Sequence, residues 1–91
     1  MKETIERIKR IMEWKKLSKE DLCEKTGLKY TRIGNIFSGR AQIRLEDIKL
    51  IGEAYPEYKL WLAYGETIPE SGQTSPEIEE TQESYKKTGG D

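Results

Sequence analysis

Five cations, Lys25, Lys29, Arg32, Arg40 and Arg44, fall between positions 25 and 44, and no acid lies among them. Thr31, Asn35 and Ser38 are interleaved with them, short hydrogen-bonding side chains at i, i+4 and i+7. Cations attract the phosphates of a polyanion, and short amides and hydroxyls suit hydrogen bonding to base edges. Covalent and metal chemistry has little to use here. The chain has no His, and Cys23 is its only thiol. Neither a zinc ligand set nor the usual nucleophile–base pair can be assembled, so no metal, cofactor or enzymatic activity is expected.

The elements that would carry these residues are helices. At 100° per residue, Ile33, Ile36 and Phe37 cluster on one side of a helix from about Tyr30 to Ser38. Thr31, Asn35 and Ser38 lie opposite, with Arg32 and Gly34 on the flanks, and Gly39 ends the run. Gly34 costs a helix interior roughly 1 kcal/mol relative to Ala; it would permit close approach of a backbone, either DNA or the packed second helix, and packing is the expected reason. Before this segment, Ser18-Lys19-Glu20-Asp21 is a variant of the capping box and starts a short helix that Gly27 stops. Leu22 and Cys23 are its inward residues, Cys23 as a small buried filler. Leu28 plugs the turn.

A first helix is expected over residues 4–16, where Ile5, Ile8, Ile11 and Met12 make one apolar face. After a loop from Arg40 to Arg44, a fourth helix runs from Leu45 to Ala54 with Leu45, Ile48 and Ile51 inward. A fifth runs from Pro56 to Tyr64 and ends at Gly65, with Tyr58, Trp61 and Leu62 as its stripe. Tyr55, Tyr58 and Trp61 read as core or dimer surface rather than as base-stacking groups. The fold class is all-α.

Composition sets the outer limits. Ninety-one residues suit one domain, and 34% hydrophobic against 36% charged residues demands a small core. No run approaches the roughly 18 apolar residues of a membrane span, so no membrane partner is expected. Met1 to Glu6 lacks the pattern of a secretory signal, and one cysteine allows no internal disulfide, so a reducing cytoplasm is the expected setting.

The net charge of −1 conceals an asymmetry. Residues 1–64 hold 14 Lys and Arg against 10 Asp and Glu, whereas residues 65–91 hold 2 against 7. Domain 1–66 is therefore set apart from residues 67–91, a polar linker and flexible acidic tail. Within that tail, residues 76–87 could form only a marginal helix, capped by Thr74 or Ser75, closed by Lys86 and Lys87, and frayed in the free protein.

The stretch from Leu17 to Gly39, with Leu17-Ser18, Leu22-Cys23, Gly27-Leu28, Ile33, Ile36 and the closing Phe37-Ser38-Gly39, resembles the helix-turn-helix of the phage repressor/Cro (XRE-like) regulators. Tyr55 to Glu66, with Trp61-Leu62 before Gly65, resembles their fifth-helix segment. The likeness spans about residues 4–66. It implies a five-helix lambda-repressor-like DNA-binding domain whose third helix enters the major groove of double-stranded DNA.

Carried over by position, it makes Thr31, Arg32 and Asn35 the main readers, with Lys19 and Tyr30 at base- and phosphate-contacting positions. Ser38, Arg40 and Gln42 would meet the backbone beyond the helix, and Lys29 and Arg44 complete the cationic stretch. A single domain of this kind binds at only about 10⁻⁴ to 10⁻⁶ M. Two copies on half-sites roughly 34 Å apart are therefore expected. The homodimer would use Leu60, Trp61 and Tyr64, and its function would be repression from a pseudo-palindromic operator. The alternative is an antitoxin-like or adaptor protein whose acidic tail binds a partner protein or folds back over the basic face.

Overall fold

A computed structural model describes residues 2–89, with side chains described through Tyr85. Six α-helices follow in order: α1 (Lys2–Lys15), α2 (Lys19–Thr26), α3 (Tyr30–Ser38), α4 (Leu45–Ala54), α5 (Lys59–Tyr64) and α6 (Pro76–Gly89). Short 3-10 turns at Pro56–Tyr58 and Pro69–Ser71 precede α5 and α6. The all-α class is as expected. Among the described residues, strand-like pairing is confined to one bridge between Ile68 and Gln73.

Local chemistry explains the first turns. The Ser18 hydroxyl accepts from the Asp21 N–H at 3.1 Å, and the Asp21 carboxylate accepts from the Ser18 N–H at 2.9 Å. This is the reciprocal capping box that the spacing predicts. Gly27 closes α2 at φ 81°, a left-handed conformation that side chains with a Cβ rarely adopt, and its N–H donates to Cys23 O. α3 begins without a side-chain cap, because Lys29 occupies the capping position.

The core is built from Ile8 and Ile11 of α1, Leu22 of α2, Ile33 and Ile36 of α3, Ile48 and Ile51 of α4, and Leu62 of α5. Tyr55 and Tyr58 join it, consistent with core rather than base-stacking roles. Burying an aliphatic side chain of this size contributes about 1.5–3 kcal/mol. Cys23 is half-buried beside this cluster. Leu45 departs from expectation: it is 68% exposed, and Ile43 of the preceding loop takes the inward place instead. Trp61 is half-buried, edge-on to Tyr58 at 6.3 Å.

Beyond Gly65, described residues are tethered to the rest of the fold. Gln73 places its amide oxygen on the Leu60 N–H at 2.9 Å and its amide nitrogen on Pro56 O at 3.0 Å, bracketing the start of α5. The Thr74 N–H donates to Glu57 O, and Ser75 caps α6 by accepting from the Ile78 N–H. α6 then lies on α1. Arg10 reaches Glu77 at 3.2 Å and Glu80 at 2.9 Å, while Trp14 Nε1 donates to Glu79 at 3.0 Å. The hydroxyl of Tyr58, a residue with no exposed surface, donates to the same Glu79 oxygen. Composition alone makes this helix marginal, and these long-range bonds supply what it lacks. The expected closing pair Lys86 and Lys87 lies outside the residues whose side chains are described.

Removing the Glu79 carboxylate strands a buried phenol and an indole N–H. Glu79→Ala is expected to lower unfolding free energy by about 1–3 kcal/mol in urea titrations. The loss should be smaller when Tyr58 is already Phe. Equal losses in both backgrounds would mean that the Tyr58–Glu79 bond contributes nothing.

Candidate nucleic-acid interface

Burial of Ile33 and Ile36 turns the opposite side of α3 to solvent, and Thr31, Asn35 and Ser38 lie on that side. Thr31 and Ser38 are exposed there, and Asn35 is open on the same face. The helix-wheel expectation and the structure agree on this face. Gly34 lies beside it, and a Cβ built at this position would meet nothing within 4 Å. Close packing against another helix is therefore not the reason for this glycine, contrary to the expectation from sequence. At the start of α3, Tyr30 is half exposed, with Lys19 Nζ of α2 6.0 Å from its ring centre. Lys29 adjoins it at the turn.

Beyond α3 the chain returns along the helix in a tethered loop. The Ala41 N–H donates to Asn35 O at 3.0 Å, and Ile43 is buried. Between and beside these anchors, Arg40, Gln42 and Arg44 project as exposed side chains. The cations predicted from sequence thus flank the polar face at both ends of α3. On the far side of the loop, Lys9 of α1 sits 5.2 Å from the Phe37 ring. A groove of about 570 Å³ opens there, with Ile5, Phe37 and Ile43 among its lining.

Arg32 is placed differently from the other predicted readers. Its guanidinium turns toward α4, where Nη2 donates to Asp47 Oδ2 at 2.6 Å and to Gln42 O at 3.0 Å. Nε makes a longer contact of 3.4 Å to Asp47 Oδ1. Asp47 is only 5% exposed, and its Oδ2 also accepts from the Arg44 N–H at 2.7 Å. Sequence reasoning missed Asp47. Its one local signal is that it stands three residues after Arg44, the acid position of a capping box.

The model of the helix-turn-helix family matches residues 8–62, which is more than half of the chain. The chain belongs to the helix-turn-helix family. Its regulators of the XRE-like kind bind DNA, and this helix-turn-helix protein is a DNA-binding transcriptional regulator. A search of curated proteins found no match. Such domains are not typically enzymes. Among the described residues no cluster of His, Cys, Asp or Glu could hold a metal ion, and no helix is long and apolar enough to cross a membrane. Of the helix-turn-helix proper, α2 and α3 lie wholly inside the match, whereas Gly65 onward, including α6, lies beyond it.

Burial acts to raise the Asp47 carboxyl, but the Arg32 guanidinium and the Arg44 N–H outweigh it and hold the group below its ordinary value. A carboxyl lowered in the folded state stabilises fully above its unfolded value, about 3.9. That contribution is lost as pH falls through the lowered folded value. Stability measured from pH 6 down to about pH 2 should therefore fall less steeply in Asp47→Asn than in the parent. Parallel curves for the two proteins would contradict the assignment.

Proposed function

We propose that this regulator represses transcription as a homodimer on a pseudo-palindromic operator, with α3 of each copy in the major groove. The observation that carries the reading is the outward polar face of Thr31, Asn35 and Ser38 between two sets of cations. Asn35 has the bidentate amide that suits adenine, and Thr31 has a methyl for thymine and a hydroxyl for phosphate. Lys19, Lys29 and Tyr30 at one end, with Arg40, Gln42 and Arg44 at the other, would meet the two sugar–phosphate strands. Such contacts position the protein without reading sequence.

Dimerisation follows from the limited contact area of one copy. Of the three anchors expected from sequence, Tyr64 is 74% exposed, while Leu60 and Trp61 are half-buried within their own chain. Leu45, also exposed, adds an apolar contact beside a groove that Gly52 and Ala63 help to line between α4 and α5. Tyr64 and Leu45 are therefore the better-supported anchors. Nothing comparable supports the adaptor reading. Glu77, Glu79 and Glu80, acids that a partner protein would use, are engaged with Arg10, Trp14 and Tyr58. Those contacts place α6 on α1 rather than over the recognition helix.

Selection of bound duplexes from a random pool tests the whole reading. It should return inverted half-sites about one helical turn apart, and Asn35→Ala should flatten one position in each half, a loss of about 1–3 kcal/mol. A single half-site, or base preferences that the variant leaves intact, would reject it.

Gly34→Ala probes the same face from the protein side. Because the new methyl meets open space, the variant should be more stable by up to about 1 kcal/mol in thermal unfolding. It should nevertheless bind the selected duplex more weakly, since the methyl would stand between α3 and the groove. Unchanged affinity would show that the duplex does not approach this side of α3.

A further inference from the structure

We propose that Asp47 is a positioning residue for DNA binding, which acts through Arg32 to hold the loop between α3 and α4 in the geometry that phosphates require. One buried carboxylate joins three parts of the chain. It grips the Arg32 side chain of α3 at 2.6 Å and the Arg44 N–H at the start of α4 at 2.7 Å. Through Arg32 it also reaches the carbonyl of Gln42 in the loop itself, at 3.0 Å. With the Ala41 N–H on Asn35 O, the loop backbone is tied at residues 41, 42 and 44. The side chains left outside are Arg40, Gln42 and Arg44, the groups proposed to meet the DNA backbone.

Electrostatics supports the same division of labour. An unpaired carboxylate beside a polyanion would repel it, so Arg32 neutralises Asp47 at the edge of the interface. For Arg32 to swing onto a base it would have to abandon that buried partner and release the loop. Ordering the loop beforehand removes an entropic cost of binding, because Arg40 and Arg44 then start from a fixed backbone. Arg32 thus contributes to affinity through the loop, and base reading falls to Thr31 and Asn35.

This inference rests on the DNA-binding reading of α3, and a double-mutant cycle on the full-length protein tests it. Arg32→Ala, Asp47→Ala and the double variant are titrated against the duplex selected by the parent. Each should lose affinity to a similar extent, about tenfold, and the double variant should be little worse than either single one. Base preferences should stay unchanged across the site, while the slope of log K against log salt becomes shallower by about 0.9 for each phosphate that the loop no longer engages. Asp47→Asn, which keeps the size and an acceptor for the Arg44 N–H, should move in the same direction by less and serves if Asp47→Ala folds poorly.

Hydrogen exchange of the Ala41 and Arg44 amides in the free protein should quicken in each variant, which reports the tether without any DNA. Two results would overturn the proposal. In one, Arg32→Ala flattens a base position that Asp47→Ala retains, so that Arg32 reads that base directly. In the other, Asp47→Ala binds as tightly as the parent. A parent that selects no duplex while exchange still quickens would instead count against the DNA-binding reading.

Discussion

Ile33 and Ile36 have to leave water, and most of the molecule is arranged around where they go. They join one buried cluster with Leu22 of α2, Ile8 and Ile11 of α1, and Ile48 of α4, all of them almost fully buried. A nine-residue helix would be marginal alone in water. Its stability and its orientation therefore come from the same buried face. Once those two isoleucines are inside, the helical period leaves Thr31, Asn35 and Ser38 outside. The outward polar face is the geometric complement of the core, and no separate device is needed to expose it.

The same economy does not extend to α5, which has only six residues and one fully buried side chain, Leu62. Polar bonds, most of them from outside the family-matched segment, make up the difference. Gln73 brackets the start of α5, Arg7 reaches Leu62 O near its end at 3.3 Å, and Glu79 satisfies Tyr58 just before it. Gly65 is required by its backbone, at φ 73°, a left-handed conformation that side chains with a Cβ rarely adopt. Gln73 and Glu79 of the C-terminal extension thus help to hold α5 and the turn before it.

These differences show what a sequence can display and what it cannot. α2 and α3 are legible because their signals are local: Ser18 with Asp21, Gly27, Gly39, and apolar residues at helical spacing. Leu45 misleads because periodicity extends one residue too far. It is the first residue of α4, and Ile43 reaches the core before it. Glu79 is invisible for another reason, and Asp47 offers only its place three residues after Arg44. Each is an acid whose meaning lies in a partner 21 or 15 residues away, and a glutamate or aspartate on a helix ordinarily marks a solvated face. Asn35 and Thr31 are legible as outward polar groups, whereas Arg32, on the flank of the same helix, is legible only as a cation.

Charge counting near an interface needs the same correction. The acid-free run from Lys25 to Arg44 suggests five free cations facing a polyanion, yet Asp47, three residues past its end, neutralises one of them. What remains is a smaller field spread over side chains at the two ends of α3. That distribution suits a protein held by phosphates at its edges and reading bases at its centre. A uniformly cationic ridge would bind any duplex and discriminate little, because phosphate contacts carry no sequence information. On the proposed reading, the Arg32–Asp47 ion pair leaves the middle of the helix to the short polar groups. On that reading, discrimination between duplexes would depend on hydrogen-bond geometry, for which the buried isoleucines fix the orientation of α3.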